Sequence, residues 1–173
     1  MRNAIDNAPL SQLSLTVWEQ KPDGSEVAHR TVHTDANWQV VLDLEGLDPG
    51  HPASKTYLLK AAPYGRLVRS APVTAPGPFL FEVGRLELRL RNGHDDSALA
   101  NYRVELKRQD PQGKLVHLLT QHTDGAGRLR LDPDPLAPGE AWVVRANSPV
   151  DGTVKDSAPV DTLAAHSLTL GNA

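Results

Sequence analysis

The chain consists of two copies of one sequence. When residues 2–50 are shifted forward by 89 positions, 17 of the 49 aligned pairs are identical. The His-Thr-Asp sequence at 33–35, for example, recurs at 122–124. Further along, the Ser-Ala-Pro-Val sequence at 70–73 recurs at 157–160, where the offset has fallen to 87. An internal repeat of this length predicts two small domains joined head to tail.

We place the domain boundary after Gly84, which gives domains at 1–84 and 85–173. The second copy opens with residues 85–90, in which polar and apolar residues alternate strictly, and this pattern predicts a half-buried strand. The counterpart of Leu90 in the first copy is Met1, so the first copy lacks the matching first strand. Two interpretations stay open: a piece of a longer protein, or a native start with one strand fewer.

The whole chain is predicted to be β-structure. Runs of alternating or apolar residues predict strands at 13–17, 40–42, 79–83, 102–106 and 168–170. Turn sequences rich in Gly and Pro separate such runs about every 8–12 residues, as in antiparallel β-sandwiches. We therefore predict an all-β fold of two tandem Ig-like or transthyretin-like antiparallel sandwiches, with about seven strands each. The most helical segment, 163–166, would make a single turn.

The repeated turn residues have specific backbone roles. The Pro-Asp-Gly sequence at 22–24 and the Pro-Gln-Gly sequence at 111–113 predict hairpin turns, because proline presets one backbone angle and glycine supplies a positive one. Asp35 and Asp124 each follow a strand, where an aspartate side chain accepts hydrogen bonds from nearby backbone amides. The copies differ three residues later, where one has Trp38 and the other Gly127.

The order of these features resembles the transthyretin-like, carboxypeptidase-regulatory-like group of β-sandwich domains. The second copy carries the Ala-Leu-Ala-Asn loop at 98–101, the Thr-Asp-Gly-Ala-Gly turn at 123–127 and the Leu-Ala-Pro-Gly turn at 136–139, followed by Trp142. The first copy keeps the order, with Trp38 in the glycine position. The resemblance implies the fold but no single activity, because such domains are accessories of peptidases, adhesins, outer-membrane receptors and secretion spikes.

Composition narrows the classes of function. The net charge is −3 with both signs interspersed, which does not favour nucleic acid as a partner. The absence of cysteine excludes disulfides, zinc–thiolate sites and cysteine nucleophiles. No apolar run reaches the roughly 20 residues of a membrane span. We expect an extracytoplasmic location as part of a longer protein, in the periplasm, on the cell surface or secreted, with a cytoplasmic location as the alternative.

The sequence points to no catalytic residues, no metal site and no cofactor. It contains no Gly-x-Ser-x-Gly, His-Glu-x-x-His or phosphate-loop motif. His33 and His122 recur beside the Thr-Asp pair, but each copy would need a third metal ligand. We interpret the acidic loop at 94–96 as a solvated loop rather than a calcium site. The chain is therefore predicted not to be an enzyme.

Two aromatic residues are candidate ligand-binding residues. Trp38 stands where a turn glycine is expected, and Tyr64 lies between Pro63 and Gly65 in a loop. Exposed aromatic rings of this kind stack on sugar faces in carbohydrate-binding sandwiches. The alternative is that both rings pack against the core or cover a domain junction.

These observations favour a non-enzymatic interaction and spacer module of a larger exported or surface-assembly protein. Its partner would be another protein or neighbouring domains of a longer chain. The alternatives are an effector-docking C-terminal extension of a type VI secretion spike protein, and a carbohydrate-binding module that uses Trp38 and Tyr64. A missing first strand would leave a sheet edge unpaired in the first copy. In the parent protein the preceding segment would fill this edge, and in a partner complex another chain could fill it by strand addition.

Overall fold

The computed structural model describes residues 1–171, and its regular secondary structure in that range consists of strands alone. The chain divides after Gly84 into two compact units. Each unit has two sheets, and apolar residues from both sheets meet in one buried core. The predicted all-β sandwich architecture is confirmed.

The second unit has the more complete sandwich, with seven strands. They are β7 (Leu86–Asn92), β8 (Arg103–Gln109), β9 (Leu115–His122), β10 (Arg128–Leu131), β11 (Ala141–Asn147), β12 (Val154–Asp156) and β13 (Ala165–Leu170). One sheet has the order β10-β7-β13 and the other β12-β11-β8-β9. Their facing apolar side chains form the core, in which Leu88, Leu106 and Val144 are fully buried. Val104 and Leu106 of β8 are buried and Glu105 between them is half-buried, as in a sheet with one face toward a core; on β7 the leucines are buried and so is Glu87 between them.

The first unit has six strands, three of them only two residues long. They precede those of the second unit and are β1 (Arg2–Asn3), β2 (Ser14–Gln20), β3 (Glu26–His33), β4 (Thr56–Ala61), β5 (Val68–Arg69) and β6 (Glu82–Val83). One sheet has the order β3-β2-β4-β5 and matches the four-stranded sheet of the second unit. The other contains only β1 and β6. The first unit therefore has fewer than the seven strands predicted.

The repeat in sequence is a repeat in backbone detail. Strands β2 and β3 pair as an antiparallel hairpin, as do β8 and β9. Each hairpin carries one irregularity in register, at Val17/Trp18 in the first unit and at Leu106/Lys107 in the second, again 89 residues apart. Gly24 and Gly113 both have a φ of 85°, so the predicted hairpin turns are confirmed.

The Thr-Asp pair stabilises the same turn in both units. The Thr123 hydroxyl donates to the Leu99 carbonyl and accepts from the Tyr102 amide, and Thr34 repeats this bridge in the first unit. The Asp124 carboxylate accepts from the amides of Ala126 and Arg128, as predicted for an aspartate in this turn. Burial alone would raise the pKa of Asp124, but these amides and the Arg128 guanidinium hold it below its ordinary value.

Three details of the predicted secondary structure are wrong. Residues 40–42 form no strand, and only Glu82–Val83 of the run at 79–83 does. Not every pair is antiparallel, because β13 runs parallel to β7 and β6 runs parallel to β1. In the second unit the chain crosses from one sheet to the other before β13 and so enters in the direction of β7. The weak helical candidate at 163–166 forms no helix, because residues 162–164 are a bend and Ala165 and His166 already belong to β13.

The turn at Gly127 gives a test of this local geometry. Gly127 has a φ of +75°, and an added Cβ would lie 2.9 Å from the Leu90 carbonyl oxygen and 3.0 Å from the Leu99 amide nitrogen. We expect Gly127→Ala to lower the free energy of unfolding of the second unit by about 2 kcal/mol or more in urea denaturation, because strain adds to a backbone clash. Gly125→Ala, in the same turn with open space around it, is the control and should change it little. Equal losses would contradict this account.

Candidate functional site

The candidate site lies in the first unit, at the position that strand β7 occupies in the second unit. Strand β7 lies between β10 and β13 and pairs with both. Leu88 stands opposite Leu129 on one side and His166 on the other. The side chains of Leu86, Leu88 and Leu90 point into the core and are at most 1% exposed. β7 thus supplies both the ladder partner and the core side chains of this sheet.

In the first unit most of that place is open. The offsets of 89 and 87 make residues 39–42 equivalent to β10, and residues 78–83 equivalent to β13. Strand β1 pairs with β6 only at Arg2–Glu82 and Asn3–Val83, which correspond to the last two pairs of β7 with β13. The segments 39–42 and 78–81 belong to no strand. We call the space between these two segments the slot.

Met1 closes one end of the slot. Its ammonium nitrogen donates to the Trp38 carbonyl at 2.6 Å, and the Leu90 amide donates to the Gly127 carbonyl at 2.8 Å at the equivalent place. Burial lowers the pKa of the Met1 ammonium, and the Arg2 charge lowers it further, whereas the Asp35 carboxylate acts in the opposite direction. Met1 therefore occupies the position in the first unit that Leu90, the last inward-facing leucine of β7, occupies in the second.

Burial along the slot shows what is uncovered. Val40 and Leu42 are half-buried, whereas their counterparts Leu129 and Leu131 are 1% and 4% exposed. Exposed and half-buried residues alternate from 39 to 45, as in a strand that has one face toward a core but no neighbour. Val41, between them, is 97% exposed. Residues 39–45 therefore have the side-chain pattern of a strand but lack the backbone hydrogen bonds to a neighbouring strand.

The slot opens into an apolar cavity. The cavity has a volume of about 520 Å³. Its walls include side chains of the four-stranded sheet and of the two segments, among them Leu15, Val40, Leu42, Leu59, Phe79 and Phe81. Phe79 and Leu80 on the second segment are 41% and 52% exposed. A cavity of this size and character binds an apolar guest more readily than a charged one.

The structure places the two predicted ligand-binding aromatics differently. Trp38 is half-buried, lines the cavity and has a φ of +57°, the left-handed conformation of its counterpart Gly127. Tyr64 is half-buried against the core, and its hydroxyl accepts a hydrogen bond from the Asn3 side-chain amide at 2.6 Å. Tyr64 is absent from the residues that line the cavity. Their role in binding sugar stays a prediction.

A smaller cavity of about 330 Å³ lies on the second unit, and its lining is charged. Arg145 in its wall pairs with Asp156 at 2.7 Å, and Arg103 lies 3.8 Å from Glu105. Each of these charged side chains is therefore within ion-pair distance of an opposite charge. Among residues 1–171, no three His, Cys, Asp or Glu side chains are grouped closely enough to hold a metal ion.

Comparisons with known proteins identify no family. No family model and no curated protein matches the chain. Among solved structures, a mutant of the shaft pilin spaA from Lactobacillus rhamnosus GG is 13% identical, with 97% of this chain and 88% of that chain covered and a TM-score of 0.32. A tetra-tandem repeat from the extending region of a large adhesion protein is 16% identical, with 88% and 43% covered and a TM-score of 0.25. Scores this low transfer neither protein's role to this chain.

Within the described part of the chain, no helix has the length and apolarity needed to cross a membrane. The sequence shows that residues 1–3 align with residues 90–92, the last three of β7. The open slot could not be predicted from the sequence, because residues 40–42 and 79–81 have the composition of ordinary strands. The signal that identifies it is the equivalence of these segments to β10 and β13, which both need β7 as a neighbour.

Proposed function

We propose that this chain is a non-enzymatic protein-interaction and spacer module of a larger exported or surface-assembly protein. The observation that carries the proposal is the exposed apolar surface of the first unit, where Val41, Leu80 and Phe79 are 97%, 52% and 41% exposed. A domain that leaves apolar side chains and strand-forming backbone uncovered exposes what protein interfaces are made of. We infer that the first unit is the docking part of the chain.

The spacer role is supported by the second unit. Its core includes side chains from both sheets, and all three inward leucines of β7 are buried. Its charged residues are mostly engaged with one another, as in the pairing of Arg145 with Asp156 on the four-stranded sheet. A closed sandwich with a self-satisfied polar surface serves best to hold its neighbours at a fixed spacing.

The proposal is tested by protein capture from envelope and lysate fractions of the source organism, with identification by mass spectrometry. The bait is the full chain, compared with the variant Val41→Asp/Leu80→Asp, which places two charges at exposed positions beside the slot. Leu67→Asp, at a 68% exposed position of the same unit outside the cavity lining, is the matched control. We expect one protein to be retained by the wild type and the control and lost by the double variant.

Other results would contradict the proposal. Retention of the same proteins by all three baits would show that the slot has no docking role. If polysaccharide alone is retained, and Trp38→Ala/Tyr64→Ala abolishes its retention on affinity gels, the carbohydrate-binding alternative replaces the protein-interaction module. Retention of no partner at all would leave the chain a passive spacer.

A further inference from the structure

We propose that the smaller cavity, on the second unit, binds a hexuronic acid, a sugar that carries one carboxylate and several hydroxyl groups. The cavity has a volume of about 330 Å³, which is room for one sugar ring and more than a bare ion needs. All of its lining residues lie between Tyr102 and Val154. The site therefore goes beyond the proposed function, which rests on the first unit, and it includes neither Trp38 nor Tyr64.

Most of the lining belongs to the outward face of the four-stranded sheet. Glu105 stands opposite Arg145 where β8 pairs with β11, and Asn147 stands opposite Val154 where β11 pairs with β12. Arg103 lies two residues before Glu105 on β8 and so faces the same side of the sheet. Because adjacent strands are about 4.8 Å apart, these side chains lie within reach of one small ligand.

The wall contains hydrogen-bond donors that no acceptor in residues 1–171 uses. Asp156 holds the Arg145 guanidinium through Nε at 2.7 Å and Nη2 at 2.9 Å, which leaves Nη1 without a partner. The Arg103 side chain is 65% exposed, and its ion-pair partner Glu105 is 3.8 Å away, too far for a hydrogen bond. Asn147 bonds the Tyr102 hydroxyl through its backbone carbonyl, and its side-chain amide stays unpaired. Guanidinium and amide donors of this kind bind a carboxylate.

The charges around the cavity suit a ligand with one negative group and further donors. Arg103, Lys107 and Arg145 are positive, whereas Glu105 and Asp156 are negative, so one positive charge is in excess. Glu105 is part of the lining and repels an anion that brings no hydrogen to it. The hydroxyl groups of a sugar acid donate to Glu105 while its carboxylate binds the guanidinium groups.

The rest of the lining is apolar and consists of Tyr102, Ala146 and Val154. The Tyr102 hydroxyl donates to the Asn147 carbonyl at 2.6 Å, which fixes the position of the aromatic ring. Val154 is 62% exposed, so its side chain is available for contact. The C–H groups on one face of a sugar ring pack on such a surface, while the hydroxyl groups remain with the polar side chains.

The charged part of this lining is specific to the second unit. The counterparts of Arg103 and Glu105 in the first unit are Ser14 and Thr16, on the equivalent strand β2. The sheet therefore forms in both units with or without these charges. The fold itself does not require the arginine and glutamate, and a ligand gives them a role.

The test is titration of the full 173-residue chain, labelled with ¹⁵N, with methyl α-D-galacturonoside at neutral pH and constant ionic strength. Two matched probes are methyl α-D-galactoside, which lacks the carboxylate, and acetate, which lacks the ring. We expect saturable amide shift changes at millimolar galacturonoside, centred on residues 102–105, 145–147 and 154. Each matched probe should bind about tenfold more weakly or less, because it lacks half of the recognised groups.

The variant Arg103→Gln separates a direct contact from a general effect of surface charge. It should weaken galacturonoside binding by about tenfold and leave the fold intact, because the exposed Arg103 side chain makes no hydrogen bond in the protein. Arg108→Gln is the matched control, since Arg108 is a half-exposed arginine of the same strand outside the cavity lining. This control should leave binding unchanged.

Four results would overturn the inference: no saturable shifts, shifts centred elsewhere, equal binding of either matched probe, or equal effects of Arg103→Gln and Arg108→Gln. Titration with trigalacturonate then distinguishes two sources of the sugar acid. Tighter binding than that of the monomer would identify a uronic acid residue within an acidic polysaccharide. Binding no tighter than that of the monomer would identify a free sugar acid.

Discussion

Replacing Leu131 with alanine should lower the free energy of unfolding of the second unit by about 2–5 kcal/mol, the usual cost of a buried leucine. Leu131 is 4% exposed on β10, beside β7 in the same sheet, and its side chain belongs to the core, so its removal leaves a cavity there. Leu42→Ala, at the equivalent position of the first unit, should cost about 1 kcal/mol, because that side chain is half-buried and borders a space that is already open.

The measurement is amide hydrogen exchange on the full chain, which reports the stability of each unit separately through its own core strands. Amides of β8 and β11 report on the second unit, and those of β2 and β4 on the first. Leu131→Ala and Leu42→Ala are matched variants, because both replace a leucine with alanine at equivalent positions of the two repeats. Equal losses at the two positions would mean that the slot is closed in solution, and the proposals that depend on it would fail with it.

The features that sequence predicted best are local ones present in both copies. The hairpin turns follow from Pro and Gly at fixed places, and the bridge made by Thr34 and Thr123 recurs because the Thr-Asp pair recurs. Such features depend on a few neighbouring residues, so a repeat that preserves those residues preserves the geometry. The offset between the copies also shows which residues of β7 have an aligned partner in the first copy, because this requires only the sequence alignment.

The features that sequence could not predict depend on distant partners. Residues 40–42 have strong strand propensity, but a strand needs hydrogen bonds to a neighbouring strand, and among the described residues none pairs with them. The parallel direction of β13 depends on where the chain crosses between sheets. The left-handed conformation of Trp38 is unusual for a bulky residue, and it matches the positive φ of its counterpart Gly127.

The buried carboxylate of Glu87 predicts the second large effect. Glu87 is fully buried on β7 and pairs with Arg130 at 3.2 Å and with Arg89 at 2.7 Å. We expect Arg130→Met to destabilise the second unit by about 3 kcal/mol, near the lower end of the range for breaking a buried ion pair, because Arg89 stays in contact. Arg89→Met, whose side chain is 47% exposed, should cost less than about 1 kcal/mol.

The double variant Glu87→Met/Arg130→Met separates the loss of an attraction from the exposure of an unpaired charge. Removing both partners leaves no buried carboxylate without its guanidinium, and apolar replacements of such pairs are often neutral. We therefore expect the double variant to recover most of the loss seen in Arg130→Met when both are measured by urea denaturation. A double variant as unstable as Arg130→Met would instead show that the ion pair stabilises the unit more than the apolar pair that replaces it.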